Sequence, residues 1–173
     1  MPSLRRSWFS LWMGFALLAF AGCAHYQLGQ GNRAPFNRLF LEPVADRARV
    51  PQSRALLDLR LREAFIRDGR SSLVAAATDA DATLSVAIAD YRREVTAVRE
   101  NDTGLARKFN VQLTLSCRLR DNRAGRVIWE DRIITVTREV FTDSGQLQAE
   151  YQTLPLLAES AAAQVVHAAL DVW

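Results

Sequence analysis

The chain has 173 residues, a length typical of one domain. Hydrophobic residues make up 49% and charged residues 24%, a composition that is typical of globular proteins and excludes a disordered chain. The formal net charge is +3, but the first 22 residues contribute two arginines and no acidic side chain. The remaining 151 residues carry 20 basic and 19 acidic groups. Because these charges nearly cancel, the net charge gives no reason to expect nucleic acid as a partner.

The first 22 residues are typical of a secretory signal peptide. Arg5 and Arg6 precede an apolar run from Trp8 to Phe20, which is shorter than the roughly 20 residues that cross a bilayer. Residues 20–23 read Phe-Ala-Gly-Cys and resemble the site at which bacterial lipoproteins are cut and acylated, with phenylalanine in place of the usual leucine. We therefore expect lipidation at Cys23. The alternative is an ordinary signal peptide with a chance cysteine near its end.

The cysteine count bounds the redox chemistry of the mature chain. If Cys23 is lipidated, Cys117 is the only remaining thiol, so an intramolecular disulfide is excluded. Cys117 falls on the apolar side of an alternating strand, and we predict that it is a small core residue. We divide the chain into a signal peptide (1–22), a lipidated tether with glycines and a proline (23–37) and a single α+β domain (38–173).

The first part of the domain predicts a strand followed by a helix. Arg38 to Val44 is a short apolar run that includes a proline near its end. Pro51 is expected to open a helix with Leu57, Leu61 and Phe65 on one face. Gly69 is expected to end that helix in a left-handed conformation.

The centre of the chain predicts an antiparallel meander of three strands, at Thr83 to Val98, Phe109 to Arg120 and Val127 to Phe141. The second strand alternates strictly between apolar and polar residues over twelve positions, which predicts one buried and one wet face. A turn is expected at 121–125. The apolar pattern slips at 130–131, which indicates a bulge or twist.

The last segment, Leu147 to Trp173, carries apolar residues at helical spacing, and Pro155 should either begin this helix or kink it. The element order is therefore β-α-β-β-β-α. We predict an α+β two-layer sandwich in which two helices pack on one face of a four-stranded mixed sheet.

No motif predicts catalysis, a cofactor or a metal site. His25 lies in the tether, and His167 lies away from the apolar stripe of the last helix, where we expect it to be exposed. Asp79 and Asp81 form a pair of carboxylates without further metal ligands in the sequence, and we interpret them as a solvated lead-in to a strand. The sequence thus favours a binding or assembly protein over an enzyme.

Basic residues cluster at both ends of the predicted meander. The first cluster surrounds the link between its first two strands and consists of Arg92, Arg93, Arg99, Arg107 and Lys108. The second lies at the next turn and consists of Arg118, Arg120, Arg123 and Arg126. The first cluster adjoins apolar Leu105 and Phe109, so it is a candidate site for a phosphorylated amphiphile. The alternative is that hairpin ends are charged for solubility.

Several segments together resemble the lipopolysaccharide-assembly lipoproteins of the LptE family. They are the opening at 23–28, the first strand at 39–44, the helix end at 65–70, the strand lead-in at 80–84, the strands with 91–93 and 107–109, the turn at 121–129 and the last helix through 155–159. One departure is residues 45–47 (Ala-Asp-Arg), where the family has an asparagine-rich turn. The order and spacing of the segments carry the resemblance.

The resemblance implies a non-enzymatic role. Family members plug the LptD β-barrel of the outer membrane, help it to assemble, and bind lipopolysaccharide. It implies an outer-membrane lipoprotein on the periplasmic side, and Ala24 in place of aspartate is compatible with that location. The alternative function is a lipoprotein activator of a peptidoglycan synthase or another binding module for envelope assembly. Such an activator needs a long tether, whereas about fourteen residues here reach at most about 50 Å.

Overall fold

The computed structural model describes residues 35–99, 102–141 and 146–171. The predicted signal peptide, Cys23, His25 and most of the tether lie outside these residues. The elements in chain order are β1 (Arg38–Leu41), β2 (Ala45–Asp46), α1 (Pro51–Asp68), β3 (Ser72–Val74), a short 3-10 helix (Ala77–Asp79), β4 (Ala82–Arg99), β5 (Asp102–Asp121), β6 (Arg126–Phe141) and α2 (Gln146–Leu170).

The strands form one mixed sheet of six strands in the order β3-β1-β4-β5-β6, and β2 pairs beside β1 along β4. β1 runs parallel to both β3 and β4, whereas β4, β5 and β6 form the predicted antiparallel meander. The prediction of four strands was wrong, because the sheet also contains β2 and β3. These strands have only two and three residues, too few to show an alternating pattern.

Helix α1 begins and ends as its sequence predicts. Pro51 is at the start, where its fixed φ suits a helix and its missing N–H is not needed. Gly69 ends the helix at a φ of 72°, and its N–H donates to the carbonyl oxygen of Phe65 at 3.2 Å. Leu57, Leu61 and Phe65 itself are fully buried against the sheet and α2.

Helix α2 begins earlier than its proline suggests. It starts at Gln146, so Pro155 lies inside the helix and does not begin it. The buried stripe of α2 consists mainly of small residues. It includes Leu157, Ala158, Ala161 and Val165. Small side chains let the helix lie close to β5, β6 and α1, all of which it contacts.

The core lies on one face of the sheet. Residues 109, 111, 113, 115, 117 and 119 of β5 are all buried there together with residues from both helices, as the alternation predicts. Cys117 is among them, which confirms it as a core residue, and burial raises the pKa of its thiol to about 12. The opposite face carries threonine, serine, asparagine and arginine side chains and remains open among the described residues.

The predicted irregularity in β6 is a bulge. Cys117 lies opposite Arg132 and Leu119 opposite Trp129, so Glu130 and Asp131 together face the single residue between them. Asp131 has a φ of 50°, a left-handed conformation that bends the strand at this point.

Candidate functional site

The long hairpin of β4 and β5 carries the basic residues that the sequence singled out. Residues 90–99 and 102–112 form what we call the hairpin arm. The pairing of β2 with β4 ends at Ile88, so in the arm β4 has a strand neighbour on one side only among the described residues. The sequence predicts Arg107 and Lys108 at the link between the first two strands of the meander, but β5 begins at Asp102 and both lie within the strand.

Alternation separates two of the predicted residues. Arg92 lies opposite Gln112 on the open face of the sheet and forms an ion pair with the carboxylate of Asp90. Arg93 lies opposite Val111, a buried core residue, and therefore belongs to the other face. The prediction of one cluster was wrong for these two arginines, since neighbours in a strand point to opposite sides.

Lys108 lies next to Phe141, an apolar neighbour that the sequence does not indicate. Its Nζ lies 2.5 Å from Oε2 of Glu139 and 5.6 Å from the ring centroid of Phe141. Of the two expected neighbours, Phe109 is only 1% exposed and belongs to the core, and the side chain of Leu105 lies outside the described residues. Phe141 is 57% exposed, so Lys108 and Phe141 together present a cation next to an apolar ring.

Arg99 and Arg107 are placed by the backbone alone. Arg99 is the last residue of β4 and lies opposite Asp102, and Arg107 immediately precedes Lys108 on β5. Both therefore belong to the hairpin arm.

At the other end of the sheet, the buried carboxylate of Asp81 is the centre of an ionic network. Its Oδ1 lies 2.7 Å from Nη2 of Arg123 and 3.2 Å from Nη2 of Arg38. Its Oδ2 accepts the backbone N–H groups of Asn37 at 3.1 Å and Arg38 at 2.9 Å. The interpretation of Asp81 as a solvated lead-in was wrong, because the residue is only 2% exposed. The carboxylate joins the start of β1 to the turn between β5 and β6.

The electrostatics of Asp81 follow from these contacts. Burial raises the pKa of a carboxyl, but the backbone N–H of Arg38, then the guanidinium groups of Arg123 and Arg38, outweigh it and lower the pKa of Asp81 to about 2. Asp81 is thus an ionised structural group at neutral pH.

Asn122 extends the network to the 3-10 helix. Its side-chain amide donates to the carbonyl oxygens of Ala77 at 3.3 Å and Ala80 at 3.2 Å and lies 3.0 Å from Oγ1 of Thr83. Its backbone N–H donates to the carbonyl oxygen of Asp81 at 2.9 Å. The predicted turn at 121–125 is therefore held firmly against the lead-in to β4.

The remaining candidate groups have structural contacts. His167 is exposed, as predicted, and contacts the carboxylate of Asp171 one turn later. Asp171 also binds Nη1 of Arg70 at 2.5 Å, and Arg70 binds Asp68 at 2.8 Å, so the ends of α1 and α2 are joined. Within the described ranges, no group of three or more His, Cys, Asp or Glu side chains is placed to hold a metal ion.

Residues 36–169 match the LptE family, which is described as lipopolysaccharide-assembly. This match covers most of the chain, and the chain belongs to the LptE family. No curated protein matches the sequence. No helix within the described residues has the length and apolar character needed to cross a membrane.

Solved structures share the fold. Lipoprotein B from Nitrosomonas europaea matches with a TM-score of 0.55 at 17% identity, and the match covers 83% of this chain and 86% of that protein's chain. Protein XCC0632 from Xanthomonas campestris has a TM-score of 0.57 at 17% identity, with 80% and 86% covered. Protein CT253 from Chlamydia trachomatis has a TM-score of 0.51 at 10% identity, with 76% and 94% covered. At such identities the likeness concerns the fold alone.

The network around Asp81 generates a prediction for stability. Because the pKa of Asp81 is lowered from 3.8 to about 2 in the folded state, its ionised form stabilises the fold above about pH 4, and this stabilisation is lost as the pH falls toward 2. Asp81→Asn should therefore lower the unfolding temperature at pH 7, and the gap between variant and wild type should shrink toward pH 2. Thermal unfolding followed by circular dichroism across this pH range measures the gap.

The matched control is Asp90→Asn, which removes a carboxylate whose side chain is 39% exposed and paired with one exposed arginine. Exposed pairs of this kind contribute little, so this variant should unfold close to wild type at every pH. A gap for Asp81→Asn that is as small as that of Asp90→Asn, or that stays constant with pH, contradicts the role assigned to Asp81.

Proposed function

We propose that this protein is a lipoprotein of the outer membrane that helps the LptD β-barrel to assemble and binds lipopolysaccharide on its way to the outer leaflet. The observation that carries this proposal is the family match over residues 36–169. The role is one of binding and assembly, without catalysis. The protein acts from the periplasmic side, held by a lipid anchor.

The open face of the sheet supports the proposed partnership with a barrel. It presents rows of polar side chains along β5, namely Asn110, Gln112, Thr114, Ser116, Arg118 and Arg120. The lumen of a large outer-membrane barrel is polar, and a wet sheet face can lie against it without burying unpaired polar groups. Thr114 already approaches Thr135 of β6 at 3.5 Å, so the rows extend across neighbouring strands.

The hairpin arm is the proposed contact for lipopolysaccharide. Its basic residues are Arg92, Arg93, Arg99, Arg107 and Lys108, of which Lys108 lies against Phe141. A phosphorylated glycolipid has anionic groups next to its acyl chains, so a cation beside an exposed ring matches the boundary of such an amphiphile. Arg93 contributes from the opposite face of the arm, which makes it the least direct of the five.

The first prediction from this function concerns the anchor. The apolar run before residues 20–23 and the small residues at 21 and 22 motivate acylation at Cys23. Cells grown with labelled palmitate should incorporate label into the wild-type protein and not into Cys23→Ser. The matched control is Cys117→Ser, which changes the buried thiol and should leave labelling intact. Equal labelling of wild type and Cys23→Ser excludes the anchor.

The second prediction concerns the barrel. Depletion of the protein should lower the amount of correctly assembled LptD and make the outer membrane permeable to large hydrophobic antibiotics, because the barrel would lack its partner. Immunoblots of LptD in outer-membrane fractions and antibiotic sensitivity measure the two effects. If depleted cells keep normal barrel levels and an intact permeability barrier, the proposed partnership is wrong. Proteins that co-purify from solubilised membranes would then identify a different assembly complex of the cell envelope.

The third prediction concerns the hairpin arm. Replacing Arg99, Arg107 and Lys108 by alanine should weaken lipopolysaccharide binding about a thousandfold or more, because each charge-assisted contact that is partly desolvated contributes about 1.5–3 kcal/mol. An exposed ion pair would contribute only about 0–1 kcal/mol. Titration of purified lipopolysaccharide against the protein measures the affinity, and thermal unfolding checks that the fold is intact.

A triple alanine variant on α1, at Arg54, Arg62 and Arg67, removes the same charge from a helix distant in sequence and serves as its control. This variant should weaken binding only a few-fold. Equal losses for both triples would show bulk electrostatics instead of a site. No loss for either would show that the arm carries its charges for solubility.

A further inference from the structure

A polar cleft of about 600 Å³ lies on the open face of the sheet, at the end opposite to the hairpin arm. Its floor consists of two cross-strand pairs, in which Thr83 lies opposite Arg120 and Ser85 opposite Arg118. Each pair places a hydroxyl beside a guanidinium group on the same face. Glu42 lies at one side of this floor.

The hydrogen bonds of Asn122 and Arg123 hold the walls of the cleft in place. One wall is the 3-10 helix, through Ala77 and Thr78, and the other is the turn between β5 and β6, through Gly125. Asn122 belongs to the turn, and its side-chain amide donates to the carbonyl oxygens of Ala77 and Ala80 at the 3-10 helix, which joins the two walls. Asp81 holds the turn through Arg123. A ligand would therefore meet groups that are already in place, which lowers the entropy cost of binding.

Three of the four arginines at this end are committed to carboxylates. Arg123 binds Asp81 at 2.7 Å, Arg118 binds Glu130 at 2.9 Å, and Arg126 lies 4.0 Å from Asp121. Arg120 is the exception: within the described part of the chain its guanidinium has no ion pair and no hydrogen bond, and it lines the cleft. The fold thus leaves one cation without a counter-ion in a preformed polar depression.

We propose that this cleft binds a phosphate group, with Arg120 as its principal contact and Arg118 and Ser85 beside it. A guanidinium fork matches two phosphate oxygens, and a serine hydroxyl supplies a further donor. The phosphate belongs either to a small soluble molecule or to a lipid head group, since both offer the same oxygens. A strand rises about 3.3 Å per residue, so Arg120 lies about 40 Å along β5 from Lys108.

This spacing makes the inference independent of the proposed function. One head group cannot contact both Lys108 and Arg120, so the cleft would be a second site and not part of the hairpin arm. The two proposals fail separately, because variants in the arm leave the cleft unchanged and variants in the cleft leave the arm unchanged.

The experiment uses the purified full chain in detergent and follows backbone amide resonances of Ser85 and Gly125 by NMR. The probes are glucose 1-phosphate, inorganic phosphate, and the pair of glycerol 3-phosphate and short-chain phosphatidic acid. At least one phosphate should shift these resonances saturably. The double variant Arg118→Gln/Arg120→Gln should weaken that binding by about tenfold or more, since both forks are removed.

The matched control is Arg54→Gln/Arg67→Gln on α1, which removes the same charge and should leave the affinity within about twofold. Tighter binding of phosphatidic acid than of glycerol 3-phosphate assigns the cleft to a lipid head group, and equal binding assigns it to a soluble phosphate. Equal losses in both double variants, or no saturable shift with any probe, overturn the proposal. Hydrogen exchange of the turn amides in the variants confirms that the cleft has kept its shape.

Discussion

The ionised carboxylate of Asp81 is the constraint on which the end of the sheet near the turn between β5 and β6 depends. It accepts five hydrogen bonds, from two backbone N–H groups and from the side chains of Arg38 and Arg123. A buried charge is costly unless it is neutralised and fully hydrogen-bonded, and here both conditions hold. The carboxylate lies at the junction of β1, the lead-in to β4 and the turn that follows β5, so it sets how the meander meets the parallel strands.

Much of the fold could be predicted because its signals are local. The strict alternation of β5, the proline and glycine that bound α1, and the slip at residues 130–131 each reflect geometry within a few neighbouring residues. β2 and β3 were missed because strands of two and three residues show no period. The partners of Asp81 lie 43 and 42 residues away in sequence, so no local pattern could indicate that this aspartate is buried.

The basic residues show a different limit. Proximity in sequence suggested one cluster at Arg92 and Arg93, but in a strand adjacent side chains lie on opposite faces, and the structure divides them. The role of Phe141 beside Lys108 depends on the pairing of β5 with β6 and was missed for that reason. Arg120 is distinguished from its neighbours only by what the other three arginines bind, and that selection requires side-chain geometry.

The bulge at Glu130 and Asp131 has a consequence for the outer edge of the sheet. β6 ends the described strand order and is sixteen residues long, so it would offer a long ladder of backbone groups to another chain. The left-handed residue Asp131 and a second register shift, between Leu119 and Arg120 on β5, divide this ladder into shorter segments with different registers. A straight strand that pairs with one segment is out of register with the next. The kink thereby limits edge-to-edge association of these sheets, even where many copies are crowded together.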